Sequence, residues 1–330
     1  MLDVLAIGET VIDFTPIGTS PAGNPIYEAQ PGGAPSNMLA EASKLGAKTA
    51  LIGMVGRDPL GLFLHQVLIA YGIGAKGVKI TEQAPTVFTL VDHDKRGDRT
   101  FFSLQNRTVL NVFSVEDIDF DGLEDTKILH IAGSLLCSPN GLEIIQKAKK
   151  YAASKGIPVC CDVNWRPYTY DRDYAQKVLL PYLAHLDILK ISWEELELFT
   201  DTFDLKEGCQ KFSELGTKLT AVSMGAKGCY FSYANGSGHL PTYDVKVVDT
   251  NASGDSFTGA LLVELSKLDL PVEKIPLEQM RAIMDFANAA GAACAAHSGA
   301  ICAVPTREQV EMCRKRTPML FPKNLSNPKE

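Results

Sequence analysis

Short β-rich runs alternate with helical patterns along most of the 330 residues, and this alternation constrains the fold more than any other feature. Runs such as KILHIAG are apolar over several residues, as is typical of strands covered on both faces. The runs predict strands at 3–8, 49–54, 127–131, 157–162, 187–191 and 219–224. The patterns between them predict helices at 34–45, 59–71, 139–155, 171–183, 192–200, 205–215, 253–267, 277–296 and 306–316. This order favours right-handed βαβ crossovers, so we expect an α/β fold with a mostly parallel sheet.

Two segments, 14–31 and 85–104, contain strand and turn patterns without helices. In the second, polar and apolar residues alternate on both sides of DKRGD, which predicts a hairpin. We expect the two segments to pair into a small β-sheet lid. The predicted division is a core of 1–13, 32–84 and 105–320, a lid of 14–31 and 85–104, and a disordered tail at 321–330.

Composition excludes several classes of protein. The net charge is -7 with no clustered basic run, which argues against nucleic acid as a partner. No apolar run approaches the roughly 20 residues that span a membrane, and MLDVLAIGE is typical of a first strand rather than a signal peptide. The eight cysteines are scattered without metal-binding spacing, so we expect reduced thiols and a cytoplasmic protein.

Candidate binding residues follow the predicted strands, because ligands of parallel α/β sheets bind beyond the carboxyl ends of the strands. GETVID places Asp13 just past strand one, and PGGAPSN places Gly32 and Gly33 before a helix that carries Asn37. The two glycines allow a ligand to approach the backbone, although ordinary turn glycines at a helix entry would have the same pattern. SMGAKG (223–228) is a turn that could lie against a nucleotide or could be a simple β-turn.

A third group of polar residues follows the predicted strands at 157–162 and 187–191. CDVNWRP contributes Asp162, Asn164 and Arg166, and ISWEE follows Lys190 with Ser192 and Glu195. Carboxylates and basic groups at neighbouring strand ends suit phosphate and a Mg²⁺ ion held through water. The alternative interpretation is solvated loop charge.

The stretch DTNASGDSFTGA (249–260) follows a strand-like run, Val245 to Val248, and opens a helical pattern. The N–H groups of Ala252, Ser253 and Gly254 would point to one spot at the helix N-terminus, where the helix dipole favours an anion. Asp255 beside that spot could accept the proton of a hydroxyl that attacks a phosphoryl group. The alternative role of Asp255 is stabilisation of the helix dipole.

Two motifs together resemble the ribokinase-like (PfkB-type) carbohydrate kinases, and most of all the fructokinases. They are GGAPSNMLAEASKLGAKTALIGMVGRDPLG (32–61) and VVDTNASGDSFTGALL (247–262), and the resemblance extends over about 3–310. It implies a three-layer α/β/α domain with a β-sheet lid and transfer of the ATP γ-phosphate to a sugar hydroxyl. Asp255 matches the catalytic base, and Gly254 with Ser253 and Ala252 matches the anion hole.

The resemblance also assigns the other candidate residues. It implies sugar contacts by Asp13, Gly32, Gly33, Asn37 and Arg166. It implies that ATP and Mg²⁺ are held by Asn164, Lys190, Ser192, Glu195, Ser223, Gly225, Gly228 and Asn288, with Glu195 acting on Mg²⁺ through water and Asn288 in a helix that walls the adenine. Asp249 and Asn251, with backbone carbonyls around 295–300, resemble a K⁺ site beside the anion hole.

Departures from the family pattern leave alternatives open. SLQNRTVLN (103–111) lacks the arginine and the Ala-Asp pair usual in fructokinases, so the acceptor could be 2-keto-3-deoxygluconate, ribose or an aminoimidazole riboside. Ala252, Ser253 and Ser192 replace glycine, alanine and asparagine, which keeps open a non-catalytic sugar-binding protein. The absence of a GxGxxG after the first strand argues against a dehydrogenase. The edges and apolar face of the lid favour a homodimer through 14–31 and 85–104.

Overall fold

A computed structural model describes residues 1–93, 99–103, 107–165, 171–268, 270–322 and 324–325. The strands are β1 Leu2–Ile7, β2 Val11–Thr19, β3 Pro25–Gly32, β4 Thr49–Gly56, β5 Ile73–Thr81, β6 Phe88–His93, β7 Arg99–Ser103, β8 Thr126–Ala132, β9 Val159–Asp162, β10 Ile188–Ser192, β11 Leu219–Ser223, β12 Cys229–Tyr233, β13 Gly236–Leu240, β14 Thr242–Tyr243 and β15 Met319–Leu320. The helices are α1 Ala34–Lys44, α2 Pro59–Ala70, α3 Val109–Val112, α4 Gly141–Lys155, α5 Arg172–Tyr174, α6 Trp193–Thr200, α7 Leu205–Glu214, α8 Ser253–Ser266, α9 Leu277–Ala295 and α10 Arg307–Arg316.

The large sheet has nine strands in the order β13-β12-β11-β10-β9-β8-β1-β4-β5. All neighbours from β5 to β11 pair in parallel, whereas β12 and β13 are antiparallel. Successive residues of β1 enter different cores: Ala6 joins the cluster with α1, α2, α8 and α9, and Ile7 joins the one with α4, α6 and α7. Helices therefore cover both faces of the sheet, and the predicted three-layer, mostly parallel fold is confirmed.

The small sheet has four strands in the order β3-β2-β6-β7. Strand β2 is antiparallel to β3 and parallel to β6, and β6 is antiparallel to β7. A T-shaped contact between the rings of Phe14 and Phe88, with centroids 5.7 Å apart, joins β2 to β6. The predicted DKRGD turn (94–98) between β6 and β7 lies outside the described residues.

Three local predictions were wrong. Asp13 lies inside β2, not just past strand one, because β1 already ends at Ile7. Val245 to Val248 is not a strand: the N–H groups of Val248 and Asp249 donate to the carbonyl oxygen of Ala295, at the end of α9. The helix predicted at 171–183 is broken into α5, a π-helical turn and a 3₁₀ turn. Pro181 explains the break, because it has no N–H to continue the helix.

The sequence patterns also missed three strands at the edges of the large sheet: β5, β12 and β13. One face of β5 is largely exposed, so its sequence has no continuous apolar run. Strand β13 is rich in glycine and only partly buried. Of the predicted tail 321–330, residues 321, 322, 324 and 325 are described, and none of these four lies in a helix or strand.

Candidate active site

Asp255 lies in the first turn of α8 and contacts α1 directly. The Asn37 side chain donates a 2.8 Å hydrogen bond from Nδ2 to Oδ2 of Asp255. One turn further along α8, a Cβ added to Gly259 would lie 2.5 Å from the carbonyl oxygen of Met38, the residue after Asn37 on α1. Only glycine allows this close approach of the two backbones, which brings Asn37 within reach of Asp255.

The predicted convergence of three N–H groups on one anion differs from the structure. The N–H of Ala252 donates to Oδ1 of Asn251 at 3.1 Å, and the N–H of Ser253 donates to the carbonyl oxygen of Thr250 at 3.3 Å. Of these three N–H groups, only that of Gly254 has no acceptor among the described residues. The side chain of Asn251 therefore accepts the N–H of Ala252, which the sequence pattern assigned to a bound anion.

Lys190 brings a positive charge to the same place. A Cβ added to Gly254 would lie 3.1 Å from Lys190 Nζ, so the ammonium group lies against the first turn of α8. Nζ is also 3.1 Å from Asp162, whose carboxylate accepts a 3.0 Å hydrogen bond from Thr258 Oγ1. Burial favours the neutral amine, but the nearby carboxylates, Asp162 first, outweigh it and raise the pKa of Lys190. The lysine therefore remains a cation.

Glu195 and Ser192 form a capping box at the start of α6. The N–H of Ser192 donates to Oε2 of Glu195 at 2.7 Å, and the N–H of Glu195 donates to Oγ of Ser192 at 3.2 Å. Oε1 of Glu195 accepts the N–H of Trp165, which follows Asn164 in the loop after β9. Burial raises the pKa of Glu195, although Lys190 opposes the shift. Asn164 has a φ of 42°, and Arg166 lies outside the described residues.

The described residues that are predicted to contact the sugar lie where β2 and β3 meet the start of α1. Asp13 is buried in β2, and a Cβ added to Gly32 would lie 3.0 Å from Oδ2 of Asp13 and 3.5 Å from the Cβ of Ala300. Gly33, the N-cap of α1, has a φ of 102°, and an added Cβ would lie 3.0 Å from the carbonyl oxygen of Glu9. A side chain at Gly33 would be both strained and crowded.

The candidate nucleotide turn follows β11. Ser223 ends that strand, and Gly225 and Gly228 have φ values of 54° and 90°. A Cβ added to Gly228 would lie 2.0 Å from the carbonyl oxygen of Leu240, so the turn lies directly against the end of β13. Asn288 of α9 donates from Nδ2 to the carbonyl oxygen of Pro241 at 2.8 Å and so ties the helix to the same place.

Asp249 joins the loop before α8 to the loop after α9. Its Oδ1 accepts the N–H of Asn251 at 2.9 Å, and its Oδ2 accepts the N–H of Gly299 at 3.0 Å. The two predicted cation-loop residues are thus joined by a hydrogen bond, and Asn251 in turn accepts the N–H of Ala252. Within the part of the chain that is described, no cluster of three or more His, Cys, Asp or Glu side chains could hold a metal ion.

Sequence reasoning missed two structural partners in the site. Asp162 was recognised only as a strand-end carboxylate, and nothing local indicates that it pairs with Lys190 on the neighbouring strand or with Thr258 on α8. Glu9, just after β1, accepts a hydrogen bond from Ser134 Oγ and supports Ser36 of α1 through its carbonyl oxygen. The sequence signal that could have identified Glu9 is its position directly after the first predicted strand.

The backbone of Ala252 supports a stability prediction. Its φ of 59° lies in the left-handed region, where alanine is strained by about 1–2 kcal/mol. Ala252→Gly removes that strain at a smaller entropic cost, so we expect it to raise the free energy of unfolding by up to about 1 kcal/mol in urea titrations. The control is Ala153→Gly at an exposed position of α4, which should lose about 1 kcal/mol. Equal losses for both variants would contradict the strain.

Glu41 supports a second stability prediction. Both carboxyl oxygens are buried without a hydrogen-bond partner among the described residues, and burial raises the pKa of Glu41 well above its usual value, against the opposing charges of Lys44 and Arg307. The folded state thus keeps a proton that the unfolded chain releases, so stability falls as pH rises above the unfolded pKa.

We therefore expect Glu41→Gln to be more stable than the wild type at pH 8, with the difference shrinking toward pH 5. The difference changes by at most about 1.4 kcal/mol per pH unit, measured by urea unfolding at both values. Glu278→Gln, at an exposed position of α9, serves as the matched control. A Glu41→Gln variant that is less stable than the wild type at pH 8 would show that the carboxyl group has an unrecognised partner.

Comparison with known proteins identifies the family of the chain. Residues 1–307 match the pfkB family carbohydrate kinase model. Fructokinase-2 of Oryza sativa subsp. japonica is 32% identical over 308 residues, which cover 92% of this chain and 91% of the relative.

Two solved structures have the same fold over nearly the whole chain. Fructokinase from Xylella fastidiosa with bound ATP has a TM-score of 0.87 at 26% identity, covering 96% of this chain and 99% of its own. Fructokinase from Vibrio cholerae O395, bound to fructose, ADP and calcium ion, has a TM-score of 0.82 at 26% identity, covering 94% and 98%. The chain therefore belongs to the pfkB family of carbohydrate kinases.

Proposed function

We propose that this kinase transfers the γ-phosphate of ATP to a hydroxyl group of fructose. The hydrogen bond between Asn37 and Asp255 carries the proposal, because it joins the helix beside the sugar-side residues to the helix that supplies the base. The similarity to the rice fructokinase, and to the Vibrio cholerae fructokinase that binds fructose, supports this acceptor.

Asp255 accepts the proton of the attacking hydroxyl as the bond to the γ-phosphorus forms, and ADP leaves with the electrons of the broken P–O bond. Lys190 and the N–H of Gly254 stabilise the charge on the transferred group, since both lie at the first turn of α8. The sugar is held by Asp13, Gly32, Gly33, Asn37 and Arg166. The small sheet formed by β2, β3, β6 and β7 covers the sugar and excludes water, which would otherwise compete as acceptor.

ATP lies along the turn formed by Ser223, Gly225 and Gly228, with Asn288 at the adenine. Glu195, together with Asn164 and Ser192, would hold Mg²⁺ through water. Each carboxylate oxygen of Glu195 accepts one backbone N–H and keeps a second lone pair for a water ligand, which fits an ion that retains its hydration shell. When bound, Mg²⁺ would supply positive charge that offsets the negative charge of the phosphates.

Asp249 and Asn251 support a K⁺ ion next to the anion hole, with carbonyl oxygens from the loop after α9. The tie from Asp249 to Gly299 supports this role because it brings the two loops together. Activity in K⁺ well above that in Na⁺ at equal ionic strength is the expected result, and equal activity in both salts would remove K⁺ from the proposal.

The segment after the lid is the reason to test acceptors other than fructose. Arg107 is exposed with a left-handed φ of 76°, in the stretch that lacks the fructokinase arginine, while residues 104–106 lie outside the described residues. A coupled ADP-release assay should therefore test fructose, 2-keto-3-deoxygluconate, ribose and aminoimidazole riboside with the same enzyme. We expect the highest kcat/KM for fructose. A higher value for another acceptor would reassign the substrate, and saturable sugar binding without ADP release would identify a non-catalytic relative.

The proposal places the enzyme in the cytoplasm as a homodimer. The exposed apolar residues Ile17, Ile26 and Tyr27 on β2 and β3 support pairing of the small sheets. All eight cysteines are free thiols, which suits a reducing compartment. Across the described ranges no helix is long and apolar enough to cross a membrane. A monomer at micromolar concentration in gel filtration would exclude the dimer.

A further inference from the structure

Phe321 is the most exposed of the large aromatic residues described, with 73% of its surface accessible to solvent. It follows β15 directly, in a segment for which the sequence predicts only a disordered tail. Exposure of a whole aromatic ring to water costs free energy, and a ligand that covers the ring would remove that cost.

The pairing of β14 with β15 fixes the position of Phe321. The two strands are antiparallel, with Thr242 opposite Leu320 and Tyr243 opposite Met319. The same register extended by one residue places Phe321 opposite Pro241. Pro241 is the residue whose carbonyl oxygen accepts the side-chain N–H of Asn288 and whose backbone would meet a Cβ at Gly228. This register therefore brings Phe321 next to Pro241, at the contact between the nucleotide turn and α9.

The same pairing indicates which way the ring points. Tyr243 is directed toward α9, where its hydroxyl donates a 2.7 Å hydrogen bond to Asp285. Residues two apart on a strand and residues directly opposite on its partner share one face. Continued by one residue beyond Leu320, this alternation puts Phe321 on the face of Tyr243, on the side of Asp285 and, one helical turn further along α9, Asn288.

We propose that Phe321 stacks on the purine base of the bound nucleotide and closes the adenine side of the cleft. This inference rests on the proposed function, because it takes the turn at 223–228 and Asn288 as the adenine site. An aromatic ring on the rim of a base site gains contact area with any purine without needing a hydrogen bond. The residue would then set the affinity for the base, while the phosphates are held elsewhere by Lys190 and the first turn of α8.

The test compares Phe321→Ala and Phe321→Trp in the full-length chain. Isothermal titration with ATP and, separately, with inorganic tripolyphosphate distinguishes base binding from phosphate binding. We expect Phe321→Ala to weaken ATP binding about fivefold or more and to leave tripolyphosphate binding unchanged. Phe321→Trp should retain ATP affinity, since it keeps the aromatic face. In kinetics, KM for ATP should rise in Phe321→Ala with little change in kcat or in KM for the sugar.

Phe63→Ala on α2 removes another exposed phenylalanine and is the matched control. Unchanged ATP affinity in Phe321→Ala, with the wild type binding ATP, would overturn the stacking role alone. Equal weakening of ATP and tripolyphosphate binding would also overturn it, since a loss common to both ligands is not a loss of base contact. A wild-type chain that binds neither ATP nor tripolyphosphate would overturn the proposed function as well.

Discussion

Replacing Asp255 with asparagine is expected to lower kcat at least about a hundredfold, because the amide cannot accept the proton of the attacking hydroxyl. The dissociation constant for the sugar should stay within a few-fold of the wild type. The asparagine oxygen can still accept the N–H of Asn37, so the contact between α1 and α8 survives the change. Steady-state kinetics together with equilibrium sugar binding would measure the two effects.

The comparison needs a matched control and a check of the fold. Asp244→Asn changes an exposed aspartate just after β14 and should leave kcat unaltered. Asp255→Ala should lose as much turnover as Asp255→Asn, with a further change in stability because Asn37 then loses its acceptor. Turnover of Asp255→Asn within tenfold of the wild type would show that another group takes the proton.

Lys190→Met is expected to lower the free energy of unfolding by about 3–5 kcal/mol, the cost of leaving one member of a buried ion pair uncompensated. Both Lys190 and Asp162 are buried, and methionine keeps the length of the side chain but not its charge. Urea unfolding measures this loss, and the KM for ATP should rise in parallel because the cation at the first turn of α8 is gone.

A double variant separates the two roles of the lysine. Lys190→Met with Asp162→Asn removes both charges, so much of the lost stability should return, while the KM for ATP should stay raised. Recovery of both properties would mean that the lysine acts only through the fold. A single Lys190→Met variant as stable as the wild type would contradict the buried pair itself.

The general fold was predictable because its signal is repetitive: apolar runs covered on both faces mark the central strands. Strand β12 and the edge strands β5 and β13 lack that signal, since one face of β5 is exposed, alternate residues of β12 are only partly buried and β13 is rich in glycine. Pro181 was visible inside a predicted helix, and its lack of an N–H would have predicted the break. The run from Val245 to Val248 was wrongly predicted as a strand, because β-branched residues favour an extended backbone whether or not a partner strand is present.

At the site, residues next to one another in sequence were predicted more reliably than contacts between elements. The glycine turns and the position of Asp255 in the first turn of α8 follow from local sequence. The positive φ of Ala252 does not follow from its residue type, because alanine rarely adopts it. The acceptor for the Ala252 N–H, the pairing of Lys190 with Asp162 and the location of Phe321 all depend on three-dimensional packing, which periodicity does not encode.

The hydrogen bond from Asn37 to Asp255 spans 218 positions of the chain, and this separation matters during synthesis. A growing chain is made from its N-terminal end, so α1 and the glycines before it are made long before α8 leaves the ribosome. A nascent chain that stops short of residue 255 lacks both the proposed base and the helix against which α1 packs. Chains truncated by premature termination are therefore expected not to phosphorylate a sugar.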